Sequence, residues 1–392
     1  MRTAQSQAAG THEPIGSPVA RRHRSKQKET TLKLVESNTF RLAATAALAI
    51  TLTACGGGGG NDGAPAGAGT GTTPVDPVVQ APVVPTDPAV VPPETPVVPT
   101  DPVEEVADTS FDTYYNVCRG TNPKCYNDWN AFATTPDRVL IYSRTAGPRH
   151  ANLGTPMGPG LNPVMNPDNV MQAGLVRMLT EAGITAEWTE DVATLTSGIN
   201  RYKTIIFASS NRDTLWNGAV PTSQDAARTA LRNYMRRGGG FVGLHNAFGA
   251  EYNWPYYEGL LGNANFYNHG PNRSGDVQII GQDPSTEGMP ARFTFQDEWY
   301  NLAPFPTNVK FLAKVDTDTL QPLTGAPHPG HAGFHPVAWC QYYDGGRAWL
   351  STLGHNTHSF IANSTGPGAD AFQKLVIQGI KSTMGLTPFC TE

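Results

Sequence analysis

Apolar and polar positions fall into a regular order from about residue 138 onward. The run "RVLIYS" at 138–143 is β-branched and aromatic and predicts a strand. In the following "PDNVMQAGLVRMLTEAG", Met171, Leu175, Met178 and Ala182 recur at helical spacing, with Asp168 placed to cap the helix and Gly183 to stop it. The pair then repeats. "KTIIFAS" at 203–209 predicts a second strand, and a helix opened by Thr222, with Asp225 three residues on as a capping box, closes at Gly238 to Gly240. "FVGLH" at 241–245 is a third strand. Strands that are apolar throughout have no solvent face, and the helices between them supply cover on both sides. The pattern therefore predicts an α/β fold with a mostly parallel sheet and helices on both faces. Toward the end, "HPVAWCQYY" and "RAWLSTLGH" flank "DGG", which predicts an antiparallel hairpin before a closing helix at 370–384.

Composition explains why this order does not extend to the beginning. With 33 prolines and 41 glycines, 392 residues are too rich in chain breakers to form one continuous globule. Seven Lys and Arg residues between 21 and 41 precede an apolar stretch at 42–54, which is too short to cross a bilayer and has the form of an export signal. It ends in "LTAC", which resembles the lipobox of bacterial lipoproteins, so residues 1–54 are expected to be a lipoprotein-type signal peptide with a lipid on Cys55. Residues 55–109 are Gly-rich, then Pro-Val-rich with "VVPTDP" twice, and are expected to form a disordered linker. The remaining 110–392 is the expected folded domain, exported and lipid-anchored, in the periplasm or at the cell surface. The formal net charge of −5 provides no basic field, which argues against a nucleic-acid partner.

Export permits disulfides among Cys118, Cys125, Cys340 and Cys390. The spacing "CRGTNPKC" suggests a local Cys118–Cys125 bridge. Cys340 lies inside an apolar strand, where an inert buried thiol is expected, although pairing with Cys390 stays open. Histidine carries more information. In an open α/β sheet, ligands bind outside the carboxyl ends of the strands, and His245 ends what should be a central one. His150, His269, His335 and His355 also fall at or near strand ends, so five of ten histidines are candidates for one pocket.

The motifs "VLIYSRTAGPRH", "GGGFVGLHNA", "YNWPYYEGLLG", "DEWYN", "HPVAWC" and "YDGGRAWLSTLGH" together resemble the ThuA-like (trehalose-utilisation) family, in family order from about 138 to about 384. The resemblance implies a class I glutamine amidotransferase-like, flavodoxin-type fold. Departures occur at Pro148, where the family commonly has an aromatic, and in insertions at 155–165 and 321–334. Amidotransferases of this fold present a cysteine nucleophile in the turn after the corresponding strand. Here that turn reads Gly243, Leu244, His245, Asn246, Ala247, so glutamine hydrolysis is not expected.

The resemblance implies carbohydrate metabolism on trehalose-like disaccharides or 3-keto glycosides, with His245 and His150 as acid and base. His269, Glu298, His335 and His355 would complete the pocket or a metal site. Imidazoles move protons near neutral pH, and two or three with a carboxylate also suit zinc or another divalent ion. Between Asp297 and Glu298, alternation along an extended chain admits one to the site, and Glu298 is preferred. Trp254, Tyr257 and Trp299 offer flat faces for a sugar ring, and Asn246 offers hydrogen bonds to its hydroxyls. The competing class is a tethered carbohydrate-binding protein without turnover, which needs the aromatics but has no use for clustered imidazoles.

Overall fold

The computed structural model describes residues 111–121, 131–218, 221–320, 331 and 333–391. The expected signal, Cys55, the linker and Cys125 lie outside the described residues. Two short strands, β1 (Phe111–Asp112) and β2 (Val117–Cys118), pair with each other. Next come β3 (Arg138–Tyr142), α1 (Val170–Glu181), β4 (Thr185–Thr189), α2 (Val192–Gly198), β5 (Thr204–Ala208), α3 (Pro221–Arg236) and β6 (Gly240–Leu244). After α4 (Pro255–Leu260) the chain forms β7 (Phe266–His269), β8 (Arg273–Ile279), β9 (Arg292–Asp297), β10 (Tyr300–Leu302) and β11 (Lys310–Asp316). The hairpin β12 (His335–Tyr343) and β13 (Gly346–Ser351) and the helix α5 (Ala369–Thr383) complete it.

Nine of these strands form one sheet in the order β4-β3-β5-β6-β13-β12-β11-β8-β9. From β4 to β13 every pairing is parallel; from β13 to β9 every pairing is antiparallel. The expected hairpin is present, and the antiparallel part extends beyond it by three strands. Period-two alternation divides the core between the two faces. Leu140, Tyr142, Ile205, Phe207 and Phe241 face α2, α3 and α4, whereas Val139, Ile141, Ile206, Val242 and Leu244 face α1 and α5. Each fully buried apolar side chain of this kind contributes roughly 1.5–3 kcal/mol relative to exposure.

Local signals held at helix ends more than at helix starts. Gly183 (φ +74) follows α1, and the N–H groups of Gly183 and Ile184 bond the carbonyls of Thr180 and Leu179, a Schellman stop. Asp168 does not cap α1, because its carboxylate instead accepts the Thr155 N–H and hydroxyl at 2.9 and 2.8 Å. Thr222 does not precede α3 either. That helix begins at Pro221, where a fixed φ and a missing N–H suit its first position. The two-residue turn between β12 and β13 has positive φ at Asp344 (+49) and Gly345 (+92), the form that matches strand twist.

The thiol expected at Cys340 is a disulfide. Although the strand residue is buried, the tail beyond α5 brings Cys390 to a Cα–Cα distance of 5.8 Å and the two are bonded. Cys118 is also disulfide-bonded. No helix among the described residues is long and apolar enough to cross a membrane.

Candidate functional site

His245 is the first residue after β6 and opens the 3-10 turn His245–Gly249 with φ +50. An L-residue in this left-handed region is strained by about 1–2 kcal/mol. Bonds to the surrounding backbone hold the turn: the Tyr257 hydroxyl donates to the Ala247 carbonyl (3.0 Å), and the Arg212 N–H donates to that of Gly249 (2.8 Å). The imidazole is fully buried, with Nδ1 2.9 Å from the Thr352 carbonyl. A carbonyl only accepts, so Nδ1 carries the hydrogen and Nε2 presents a bare lone pair.

Other strand ends converge on that lone pair. The loop after β3 brings His150 Nε2 to 3.1 Å, and Tyr300 of β10 brings its hydroxyl to 2.9 Å. Glu298, between β9 and β10, places Oε2 3.8 Å from His245 Nε2, 3.9 Å from His150 Nε2, 3.6 Å from His269 Nε2 and 3.0 Å from His355 Nδ1. One potential ligand atom from each of His150, His245, Glu298 and His355 lies within 4.8 Å of all the others.

Backbone clamps hold the turn that carries His355. Asp297 is fully buried behind Glu298 and accepts the N–H groups of Gly354 (2.7 Å), His355 (3.2 Å) and Glu298 (2.8 Å). Asn152 donates to the carbonyls of Gly354 and His355 at 2.7 and 3.0 Å. Gly354 has φ +124, a conformation open to glycine alone.

Electrostatics separates these groups. Burial, then the charges of His150 and His355, push His245 well below the usual imidazole range, so it is neutral. Burial also works against charge on His355, but contact with Glu298 outweighs it and raises that imidazole. Burial alone would raise the Glu298 carboxyl, whereas the contacts with His150 and His355 hold it well below the carboxylate range. Asp297 is pushed up to about 7 by burial, against the three N–H groups that favour its charged form. Burial, with Glu298 and Asp297 nearby, raises Tyr300 far above the usual phenol range and keeps it a hydroxyl donor.

Above this cluster lies a cavity of about 220 Å³. His269 stands at its rim, 33% exposed, with Asn211, Arg212, Asn246, Tyr252 and Phe266 around it. The structure therefore brings together His245, His150, Glu298, His269, His355 and Asn246. Four other expected site residues lie elsewhere. His335 reaches the same sheet edge but sits behind Tyr300, with Nε2 3.0 Å from the Tyr300 carbonyl, outside the cavity. Trp254 stacks on Tyr256 and Tyr257 with the Arg228 and Arg232 guanidinium groups against it. Tyr257 packs on Phe207 and Phe241 in the core. Trp299 points to the face opposite Glu298 and Tyr300, where Nε1 donates to the Arg273 carbonyl.

Tyr300, an aromatic candidate for ring stacking by sequence, does line the cavity, whereas Asn211 and Arg212 line it without a sequence expectation, although "SSNR" directly follows β5, where the strand-end rule applies.

The family model for trehalose utilisation, ThuA, matches residues 138–381, more than half of the chain. The chain belongs to the ThuA family. Every ThuA strand-end residue of the cluster lies inside that span. The chain is also similar to solved structures. A ThuA-like protein from Bacteroides uniformis is 21% identical, with 63% of this chain and 91% of that one covered and a TM-score of 0.45. A ThuA-like protein from Parabacteroides merdae is 16% identical, with coverage of 66% and 92% and the same TM-score. A GMP synthase protein from Thermoplasma acidophilum is 8% identical, with coverage of 64% and 96% and a TM-score of 0.36. No curated protein matches the chain. The ThuA assignment carries a carbohydrate-related role.

Proposed function

We propose that this chain is a carbohydrate-active enzyme that converts a glycoside or disaccharide, 3-keto forms included, in the cavity above His245. The carrying observation is the convergence of His150, His245, Glu298 and His355 on one point at the carboxyl ends of the parallel strands. A cavity of about 220 Å³ suits one sugar ring rather than a long chain. Asn211, Arg212 and Asn246 at its wall would bind hydroxyls, and Tyr252 and Phe266 would face a ring. Tyr300, whose hydroxyl stays protonated, donates a hydrogen bond or proton toward the reacting oxygen. A binder without turnover is the weaker reading. Its flat aromatic platform would have been Trp254, Tyr257 and Trp299, and all three are in the core.

Full-length protein incubated with disaccharides, glycosides and their 3-keto counterparts, with products read by mass spectrometry, tests the reading. Conversion that collapses in Glu298→Gln, with the circular dichroism unchanged, supports it. Calorimetric binding of a sugar that is never converted would transfer the chain to the binder class.

We also propose that the domain is exported and tethered through a lipid on Cys55. The "LTAC" run supports this, as does the Cys340–Cys390 bond, since disulfides persist mainly in oxidising compartments. Labelling with a radioactive fatty acid and detergent partitioning should follow the wild type and be lost in Cys55→Ala; an unlabelled wild type refutes the tether.

A further inference from the structure

We propose that His150 Nε2, His245 Nε2, Glu298 Oε2 and His355 Nδ1 form a binding site for a divalent first-row metal ion such as zinc. The proposal deepens the reading of this cavity as a reactive centre. Three nitrogens and one carboxylate oxygen are a donor set for zinc or manganese rather than for calcium, which takes oxygens. The spacings fit. Ligands at about 2.0–2.1 Å from a tetrahedral ion stand roughly 3.3 Å apart, and the neighbours here are 3.0, 3.1, 3.8 and 3.9 Å apart. The spread beyond a regular tetrahedron, together with the cavity on one side, suits an ion with a further position open to substrate.

Hydrogen bonding around the cluster points the same way. Without an ion, the bare Nε2 lone pair of His245 faces the Tyr300 hydroxyl at 2.9 Å and His150 Nε2 at 3.1 Å, which in one tautomer competes with the hydroxyl for that lone pair and in the other opposes it with a lone pair of its own. An ion seated among the ligands uses the lone pairs of both imidazoles and releases the Tyr300 hydroxyl to the cavity. The supports that ligating histidines require are present. His245 Nδ1–H is fixed on the Thr352 carbonyl, and His150 Nδ1 lies 3.3 Å from the Asn246 side-chain amide, whose oxygen can accept its hydrogen once the amide is flipped. The backbone that carries His355 is held by Asp297 and Asn152. Bound there, the ion would supply Lewis acidity toward a sugar oxygen.

The test uses full-length protein, stripped with chelator and titrated with Zn²⁺, Mn²⁺ and Co²⁺ by calorimetry, with elemental analysis before stripping and the visible spectrum of the Co²⁺ form. Expected is one ion per chain, with affinity reduced at least about 100-fold in Glu298→Gln and in His355→Ala, since losing a supporting residue alone costs about 10–100-fold. His331→Ala, outside the cluster, should bind as the wild type does. His245→Ala is avoided because its buried turn risks misfolding, whereas Glu298 and His355 are partly open. A folded wild type that binds none of the three ions tighter than millimolar overturns the proposal, as does equal affinity in both cluster variants. The two readings separate cleanly: sugar turnover by stripped protein removes the metal and keeps the enzyme, and an ion without turnover does the reverse.

Discussion

Replacing His245 by glycine should leave a more stable protein than replacing it by alanine, the reverse of the order expected in an ordinary strand or turn. Both variants remove the imidazole and leave the Thr352 carbonyl without its donor, a loss of about 1–3 kcal/mol that cancels between them. What remains is the backbone. At φ +50 alanine keeps a strain of about 1–2 kcal/mol that glycine does not feel. Against this, glycine loses about 0.5–1 kcal/mol more than alanine through its freedom in the unfolded chain. The difference favours glycine by about 0.7 kcal/mol. Urea unfolding followed by intrinsic fluorescence resolves it, and Ala250→Gly at the end of the same turn, where φ is −105, serves as the control that must lose stability. Should His245→Gly instead fall below His245→Ala by the amount seen at Ala250, the turn holds no left-handed strain and the argument for a forced imidazole collapses.

Three further outcomes are expected. Double substitution of Cys340 and Cys390 by serine releases a 50-residue closure and should lower stability by about 4 kcal/mol, measured by urea unfolding; a change under about 1 kcal/mol would mean that the unfolded chain is already restricted there. Asp297 titrates near 7 when folded and near 3.8 when unfolded, so its contribution is complete below about pH 4 and is lost as pH rises through 7. Chelator-treated wild type should therefore gain more stability than Asp297→Asn on going from pH 8 to 6, and equal gains would place the proton elsewhere. Tyr300→Phe removes a buried donor from His245 and should cost about 1 kcal/mol in thermal unfolding, with turnover of any accepted sugar lowered at least tenfold; unchanged turnover would leave the hydroxyl without a role.

The parallel half of the fold was legible because β5 and β6, Thr204 apart, carry only apolar residues and glycine, a run that a sheet covered on both faces allows. The strand-end rule then pointed to His245, and parity limited the Asp297–Glu298 pair to one residue facing the site. The antiparallel half was less so. β8 alternates buried and half-buried residues and could have belonged to any edge, since strand order is decided by contacts far apart in sequence. Aromatic character said nothing about direction, and so Trp254, Tyr257 and Trp299 were drawn toward a ligand when their neighbours draw them into the core. His335 failed for a related reason: it reaches the correct edge, but on a strand where Tyr300 stands between it and the cavity. Asp297 was visible as a carboxylate, yet its work on the backbone of His355 depends on a turn 57 residues later.

The bond between Cys340 and Cys390 turns part of the molecule into a ring that contains β13, the His355 turn and α5, while His150, His245 and Glu298 remain on the open part of the chain. A protease that cuts once at any peptide bond between these cysteines opens the ring without dividing the protein. Both pieces stay joined through the sulfur–sulfur bond. A nicked molecule therefore keeps all four cluster residues in one covalent piece.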